Sequence, residues 1–190
     1  TPLARLLALL ETASLPGQNS AELLEQGRRE VEHMGELIDD VLFLSELETG
    51  RTTVFLGLHD PQPVLDEVAE ELRESFDRAG VTLAFRAEPG VAVPLRPRML
   101  RMVVENLAEN ALRYAGPGAT FTLGVGEDGG DIVVTAADDG VGVDAGDLPR
   151  LFERFYRSDR ARASRGSGLG LAIVKHVVTS AGGSIEASAT

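Results

Sequence analysis

Arg165-Gly-Ser-Gly-Leu-Gly-Leu171 leads into an apolar segment, Ala172, Ile173, Val174, Val177 and Val178, and no other stretch of the chain says as much about its architecture. Glycines at 166, 168 and 170 lack the Cβ that would block close approach of another backbone. The residues that follow have helical periodicity. The loop therefore delivers N–H groups to a helix N-terminus, where a phosphate chain is stabilised. A tight turn into a helix would read the same way, so the choice rests on what lies upstream.

The chain has 190 residues, enough for one ordinary domain plus a smaller element. Its 30 acidic and 18 basic residues give a formal charge of −12. The cations are not clustered, which argues against nucleic acid as a partner. With no cysteine there is neither a disulfide framework nor a thiolate metal site. No apolar run is long enough to span a bilayer, and no signal peptide is present, so a soluble chain is expected. It begins at Thr1-Pro2-Leu3, inside an amphipathic helix, and further sequence is expected before it.

Two regimes meet near residue 50. Leu3, Leu6, Leu7 and Leu10 share one helical face, which Pro16-Gly17 and Asn19-Ser20 end. Ser20 is placed to cap a second helix running to about Glu48, with Leu24, Val31, Met34, Ile38, Val41 and Leu44 as its apolar positions. Two helices bury little of such a stripe. Pairing with a second copy into a four-helix bundle is expected, the alternative being packing on the rest of the same chain. Beyond Gly50, strands are expected over Thr52–Leu58, Val81–Phe85, Val91–Leu95, Phe121–Val125, Ile132–Ala136 and Ser184–Ala187. Helices are expected over Pro63–Ala79 and Pro97–Tyr114, with another opening at the glycine loop. The pattern is α+β: a helical hairpin, then an α/β sandwich with a mixed sheet covered by helices on one face.

The helix ending at Tyr114 contains Asn106-Leu-Ala-Glu-Asn110-Ala-Leu-Arg-Tyr114. Asn106 and Asn110 lie on one face, with Glu109 and Arg113 nearby. An Asn carbonyl oxygen is a neutral, hard ligand suited to Mg2+, Arg113 can neutralise phosphate and Tyr114 can stack on a base. A solvated face opposite Val103, Val104, Leu107 and Leu112 explains the same residues. Asp138-Asp139-Gly140-Val141-Gly142 follows a strand, where a carboxylate can accept a hydrogen bond from an exocyclic amine; an Asp-Gly turn is the plainer explanation. In Leu151-Phe-Glu-Arg-Phe-Tyr-Arg-Ser158, Phe152 and Phe155 can anchor a lid and Arg154 or Arg157 can meet a γ-phosphate, or the segment is a small amphipathic turn.

Taken in order, Asn-x-x-x-Asn, Asp-x-Gly-x-Gly, Phe-Glu-Arg-Phe-Tyr-Arg and Gly-x-Gly-Leu-Gly-Leu resemble the catalytic and ATP-binding domain of sensor histidine kinases of two-component systems. They correspond to that family's N box, first glycine box, F box and second glycine box. The helical hairpin, with its Leu37-Ile-Asp-Asp-Val-Leu42 and Leu47-Glu-Thr-Gly-Arg51 ending, resembles the family's dimerisation and histidine-phosphotransfer domain. The resemblance implies that residues 1–50 form that hairpin and 51–190 an ATP-binding domain of the gyrase/histidine-kinase type. It implies ATP and Mg2+ as cofactors, with Asn110 as the metal ligand and Asn106 supporting the phosphates. Asp138 would accept the adenine amine, with Gly140 and Gly142 shaping that pocket, and Arg113 and Tyr114 would contact the nucleotide. Gly166, Gly168, Leu169 and Gly170 would fold over the triphosphate, with Arg113 and Arg157 acting on its charge. The γ-phosphoryl group would pass to a histidine and then to an aspartate of a response-regulator receiver domain. The resembled proteins are homodimers whose catalytic portion is cytoplasmic, and a parent protein attached to the cell membrane through a preceding region is compatible with this.

The acceptor histidine of the family lies in a His-Glu/Asp-x-x-Thr/Asn-Pro pattern. Thr1-Pro2 resembles its end, which places the histidine four residues before Thr1; none of His33, His59 and His176 replaces it. The chain as given is expected to bind ATP without phosphorylating itself. Thr1 resembles the residue that orients water during dephosphorylation of the regulator. Two alternatives stand beside this reading. One is an ATPase or serine kinase of the same superfamily, in which a general-base glutamate precedes the Mg2+-binding asparagine by four residues; here that position is Asn106. The other is a dimeric binding module with a degenerate pocket.

Overall fold

The computed structural model describes residues 2–14, 19–49, 57–158 and 166–189. It divides into two compact units, Thr1–Ser45 and Glu46–Thr190, which meet within the second helix.

The first unit is built on α1 (Pro2–Ala13) and α2 (Ser20–Glu48). Asn19, rather than the expected Ser20, occupies the capping position. Its carbonyl accepts the Leu23 N–H at 3.2 Å and its side-chain amide donates to Glu22 at 3.3 Å. Asn caps as well as Ser and comes one residue earlier. The Ser20 hydroxyl instead donates to the Ala13 carbonyl at 3.4 Å. Further along, Leu6 Cδ1 lies 3.5 Å from where a Cβ on Gly27 would stand, so the helices run antiparallel. The Pro16-Gly17 break lies outside the described residues.

The second unit carries α3 (Gln62–Ala79), β1 (Thr82–Ala87), α4 (Pro97–Tyr114), β2 (Thr120–Asp128), β3 (Asp131–Asp138), a 3-10 turn (Leu148–Arg150) and α5 (Gly170–Ser180). The sheet order is β1-β2-β3, with β1 parallel and β3 antiparallel to β2. Residues alternate across the sheet faces, and the register aligns one face of all three strands. Phe121 lies between Leu83 and Asp138, Leu123 between Phe85 and Ala136, and Val125 between Ala87 and Val134. This face is covered by helices. α3 packs on β1 and α4, and α4 packs on β2 and α5. Phe121 stacks on Phe76 from α3 (centroids 6.4 Å apart) and meets Phe85 edge-on at 6.0 Å. Leu65, Val104 and Leu123 are fully buried there, each stabilising the fold by about 1.5–3 kcal/mol relative to exposure. The β2–β3 turn is tighter than expected: Gly129 and Gly130 both have positive φ, 62° and 93°, as a two-residue hairpin turn needs.

Three expected strands differ. Val91–Leu95 reduces to one bridge, in which Val93 and His59 exchange backbone hydrogen bonds at 3.0 and 2.8 Å; Pro94 has no N–H to extend it. Ser184–Ala187 forms no strand, and only Ile185 in it is half-buried; small residues offer a sheet little to pack. Of Thr52–Leu58, residues 52–56 lie outside the described residues, and Gly57 and Leu58 are not in a strand.

Candidate nucleotide-binding site

α4 is the platform. Pro97 begins it without forfeiting a helical hydrogen bond, and Met99, Leu100, Val103, Val104, Ala108 and Ala111 are buried. Arg101 ties the helix to α3: its guanidinium bonds Glu71 at 2.9 Å and Glu67 at 2.5 Å, and Glu105 of its own helix at 3.2 Å. These carboxylates, Glu105 foremost, raise its pKa above that of a free arginine. Asn106 and Asn110, half-buried, stand one turn apart, with Arg113 a further turn of side chain along. The Asn106 amide donates to the Met102 carbonyl at 2.8 Å. Arg113 lies 3.8 Å from Glu109, one turn before it.

The glycine-rich segments close on this helix. A Cβ on Gly140 would stand 2.3 Å from the Ala115 carbonyl oxygen, just past the end of α4, and one on Gly166 would stand 2.5 Å from Arg113 Nη1. On Gly170 it would stand 2.6 Å from Asn106 Oδ1. At Gly140 the obstacle is backbone and admits no side chain, whereas at Gly166 and Gly170 a side chain would displace the Arg113 guanidinium and the Asn106 amide. Gly142 differs: it has a φ of 68° and open space around it, so it serves the turn rather than a close approach.

Asp138 ends β3 on the same sheet face as Phe121, with which it is in register. It is exposed, and its Oδ1 accepts the Gly140 N–H at 3.1 Å. Its neighbour Asp139 is committed elsewhere: its Oδ1 accepts the Thr120 N–H at 2.5 Å, and its own N–H reaches the Thr120 carbonyl at 3.3 Å. Of two adjacent carboxylates, Asp139 closes the sheet and Asp138 stays exposed. The Asp-x-Gly-x-Gly spacing singles out Asp138, and the strand register sets it on the same sheet face as Phe121.

Leu169 is fully buried, and its N–H is taken by Ser167 Oγ at 3.1 Å, so it roots the glycine loop in the core. That Ser-to-backbone bond is a motif the Ser-Gly-Leu spacing could have signalled. In the Phe-rich segment, the Tyr156 hydroxyl donates to Asp147 at 2.5 Å, and the Arg150 guanidinium lies 4.1 Å from the Tyr156 ring centroid. Arg150 also pairs with Glu153 at 3.0 Å, which raises its pKa. Phe152 and Arg157 are half-buried; Phe155 is exposed. Thr1 and residues 159–165 lie outside the described residues. Among the described residues no cluster of three or more His, Asp or Glu side chains could hold a metal by itself, and no helix is long and apolar enough to cross a membrane.

Residues 96–190 match the family described as "Histidine kinase-, DNA gyrase B-, and HSP90-like ATPase". The chain belongs to that family. The match opens on the residue before α4 and runs through all four motifs. Within the family, the resemblance to sensor histidine kinases is borne out over nearly the whole chain. It is 32% identical to the sensor-like histidine kinase SenX3 of Mycolicibacterium smegmatis over 94% of this chain and 47% of that protein. It is 34% identical to the signal transduction histidine-protein kinase BaeS of Escherichia coli over 99% of this chain and 41% of that protein. The chain thus spans less than half the length of either relative. The Acinetobacter baumannii histidine kinase AdeS shares the fold with a TM-score of 0.76 at 22% identity, over 95% of this chain and 84% of AdeS. These likenesses bear out the α+β architecture: N-terminal helices followed by an ATPase-type α/β domain.

Proposed function

We propose that the chain is the core of a sensor histidine kinase, with residues 1–50 as its dimerisation and phosphotransfer hairpin and 51–190 as its catalytic ATP-binding domain. It binds Mg-ATP, passes the γ-phosphoryl group to a histidine expected four residues before Thr1, and from there to an aspartate of a response regulator. One observation carries this reading. Gly140, Gly166 and Gly170, from two motifs far apart in sequence, all abut α4 and its end, where a Cβ would collide.

Asp138, steadied by the Gly140 N–H, accepts the adenine amine. Gly140 lets the loop after β3 close on Ala115 at the end of α4, shaping the pocket beside Tyr114. Asn106 and Arg113, held against Gly170 and Gly166, orient and neutralise the phosphates. Asn110 offers a neutral oxygen to Mg2+, which suits an ion that takes one or two protein ligands and otherwise waters and phosphate oxygens. When bound, Mg2+ neutralises charge on the β- and γ-phosphates. Positioning and charge neutralisation supply most of the catalysis.

The position of a superfamily general base holds Asn106, which accepts no proton from water or a serine hydroxyl. The neighbouring Glu105 is drawn to Arg101. Both favour phosphotransfer over rapid ATP hydrolysis. On the hairpin, Leu3, Leu7 and Leu10 of α1 and Leu24, Val31 and Ile38 of α2 are exposed at helical spacing. That face suits a second copy of the chain, forming a four-helix bundle.

Calorimetric titration with a non-hydrolysable ATP analogue, with and without Mg2+, tests the reading. One site per chain, tightened by Mg2+, is expected. Asp138→Asn removes a charge-assisted hydrogen bond of about 1.5–3 kcal/mol, so binding should weaken by roughly 10- to 150-fold. An unchanged dissociation constant removes Asp138 from the adenine site.

A further inference from the structure

We infer that Phe155 serves the nucleotide site through its backbone, as a positioning residue whose N–H clasps the Gly168 carbonyl and so fixes the second glycine loop. This rests on the proposal that the loop binds ATP phosphates. Phe155 has a φ of 62°, the one positive value at a non-glycine position among the described residues. A bulky residue keeps such a conformation only where its surroundings over-determine it. Its ring does not supply that constraint, being 64% exposed. The constraint is the main chain: the Phe155 N–H donates to the Gly168 carbonyl at 2.9 Å.

Contact on the other side is equally close. Gly168 has a φ of 71°, and a Cβ on it would stand 2.8 Å from the Phe155 carbonyl carbon and from the Tyr156 carbonyl oxygen. Each half of the clasp is anchored separately. Tyr156 is held by Asp147 and Arg150, and Leu169 by its burial and by Ser167. Gly168 stands two residues before Gly170, where α5 begins against Asn106. The clasp thus sets the direction in which the loop enters α5, and with it the N–H groups presented to an anion.

If the backbone carries the role, tolerance at position 155 follows left-handed propensity rather than size or aromaticity. Phe155→Gly should bind the ATP analogue within about threefold of the unsubstituted chain, and Phe155→Asn similarly. Phe155→Val, β-branched and averse to positive φ, should weaken binding about tenfold, or about 1.4 kcal/mol. Thermal unfolding should hold in Phe155→Gly and Phe155→Asn and fall slightly in Phe155→Val, whose strain at positive φ costs stability wherever the side chain lies. Loss of affinity in Phe155→Gly as large as in Phe155→Val overturns the inference and assigns the role to the ring. Amide hydrogen exchange gives a readout that needs no nucleotide. The amide at position 155 should be protected in the unsubstituted chain and in Phe155→Gly, and should exchange faster in Phe155→Val. Equal protection in all three overturns the clasp. If the unsubstituted chain binds no nucleotide, the ATP reading fails, and the exchange pattern still decides whether the clasp exists.

Discussion

In the helical hairpin, Leu3, Leu7, Leu10, Leu24, Val31 and Ile38 are each 47 to 64% exposed, whereas Leu65, Val104, Leu123 and Ile173 of the ATP-binding domain are at most 1% exposed. The same residue types meet opposite fates because of layering. A helix offers its neighbour one stripe, so two helices leave the remaining apolar surface bare. A sheet covered by α3 and α4, with α5 packed on α4, buries its inner face along β2. The charged side chain most buried among the described residues, Glu30 at 3% exposure, is in the hairpin. Apolar spacing tells which face a helix turns inward; it does not tell what will cover that face.

A core truncation set against a surface one tests this contrast most severely. Leu123→Ala should cost the ATP-binding domain about 2–5 kcal/mol in urea unfolding. Ile38→Ala should change stability in dilute solution by no more than about 0.5 kcal/mol, yet shift self-association in sedimentation equilibrium to higher concentration. Equal losses of stability from both would break the contrast.

Charged contacts sharpen it further. Arg101, 27% exposed, meets three carboxylates across α3 and α4. Arg101→Leu should cost about 1 kcal/mol, with a difference that shrinks as salt rises, because partly solvated pairs are weak and screened. A salt-independent loss would point to packing instead.

The smallest effect belongs to the hairpin surface. The Arg28 guanidinium, hydrogen-bonded to Glu25, holds that carboxyl below its ordinary 4.5. A carboxyl lowered on folding contributes stability above its unfolded pKa and loses it as pH falls through the folded one. An NMR titration should therefore place the Glu25 midpoint below 4.5 and return it towards that value in Arg28→Ala. A midpoint indifferent to Arg28 would show the pair to be absent in solution.

The bounds of α4, Pro97 to Tyr114, follow from the sequence residue for residue, because Pro at the first turn and a 3.6-residue apolar period are local signals. β2 and β3 are legible for a similar reason: their apolar residues are long, alternating and joined by a glycine turn. Val91–Leu95 and Ser184–Ala187 are not, since a short strand exists only if a neighbour pairs with it. In the site, the motif order pointed to α4, Asp138 and the glycine loop. The division of labour between Asp138 and Asp139, the rooting of Leu169 in the core and the Phe155–Gly168 clasp depend on partners distant in sequence.

The chain's own order of residues determined where its main helices lie, which faces are apolar and which nucleotide-binding family it belongs to, because these depend on residues a few positions apart. Only the tertiary structure decided that Gly140, Gly166 and Gly170 abut α4 and its end, and that Asp139 is spent on Thr120. Those are matters of close approach between segments that the chain itself separates by tens of residues.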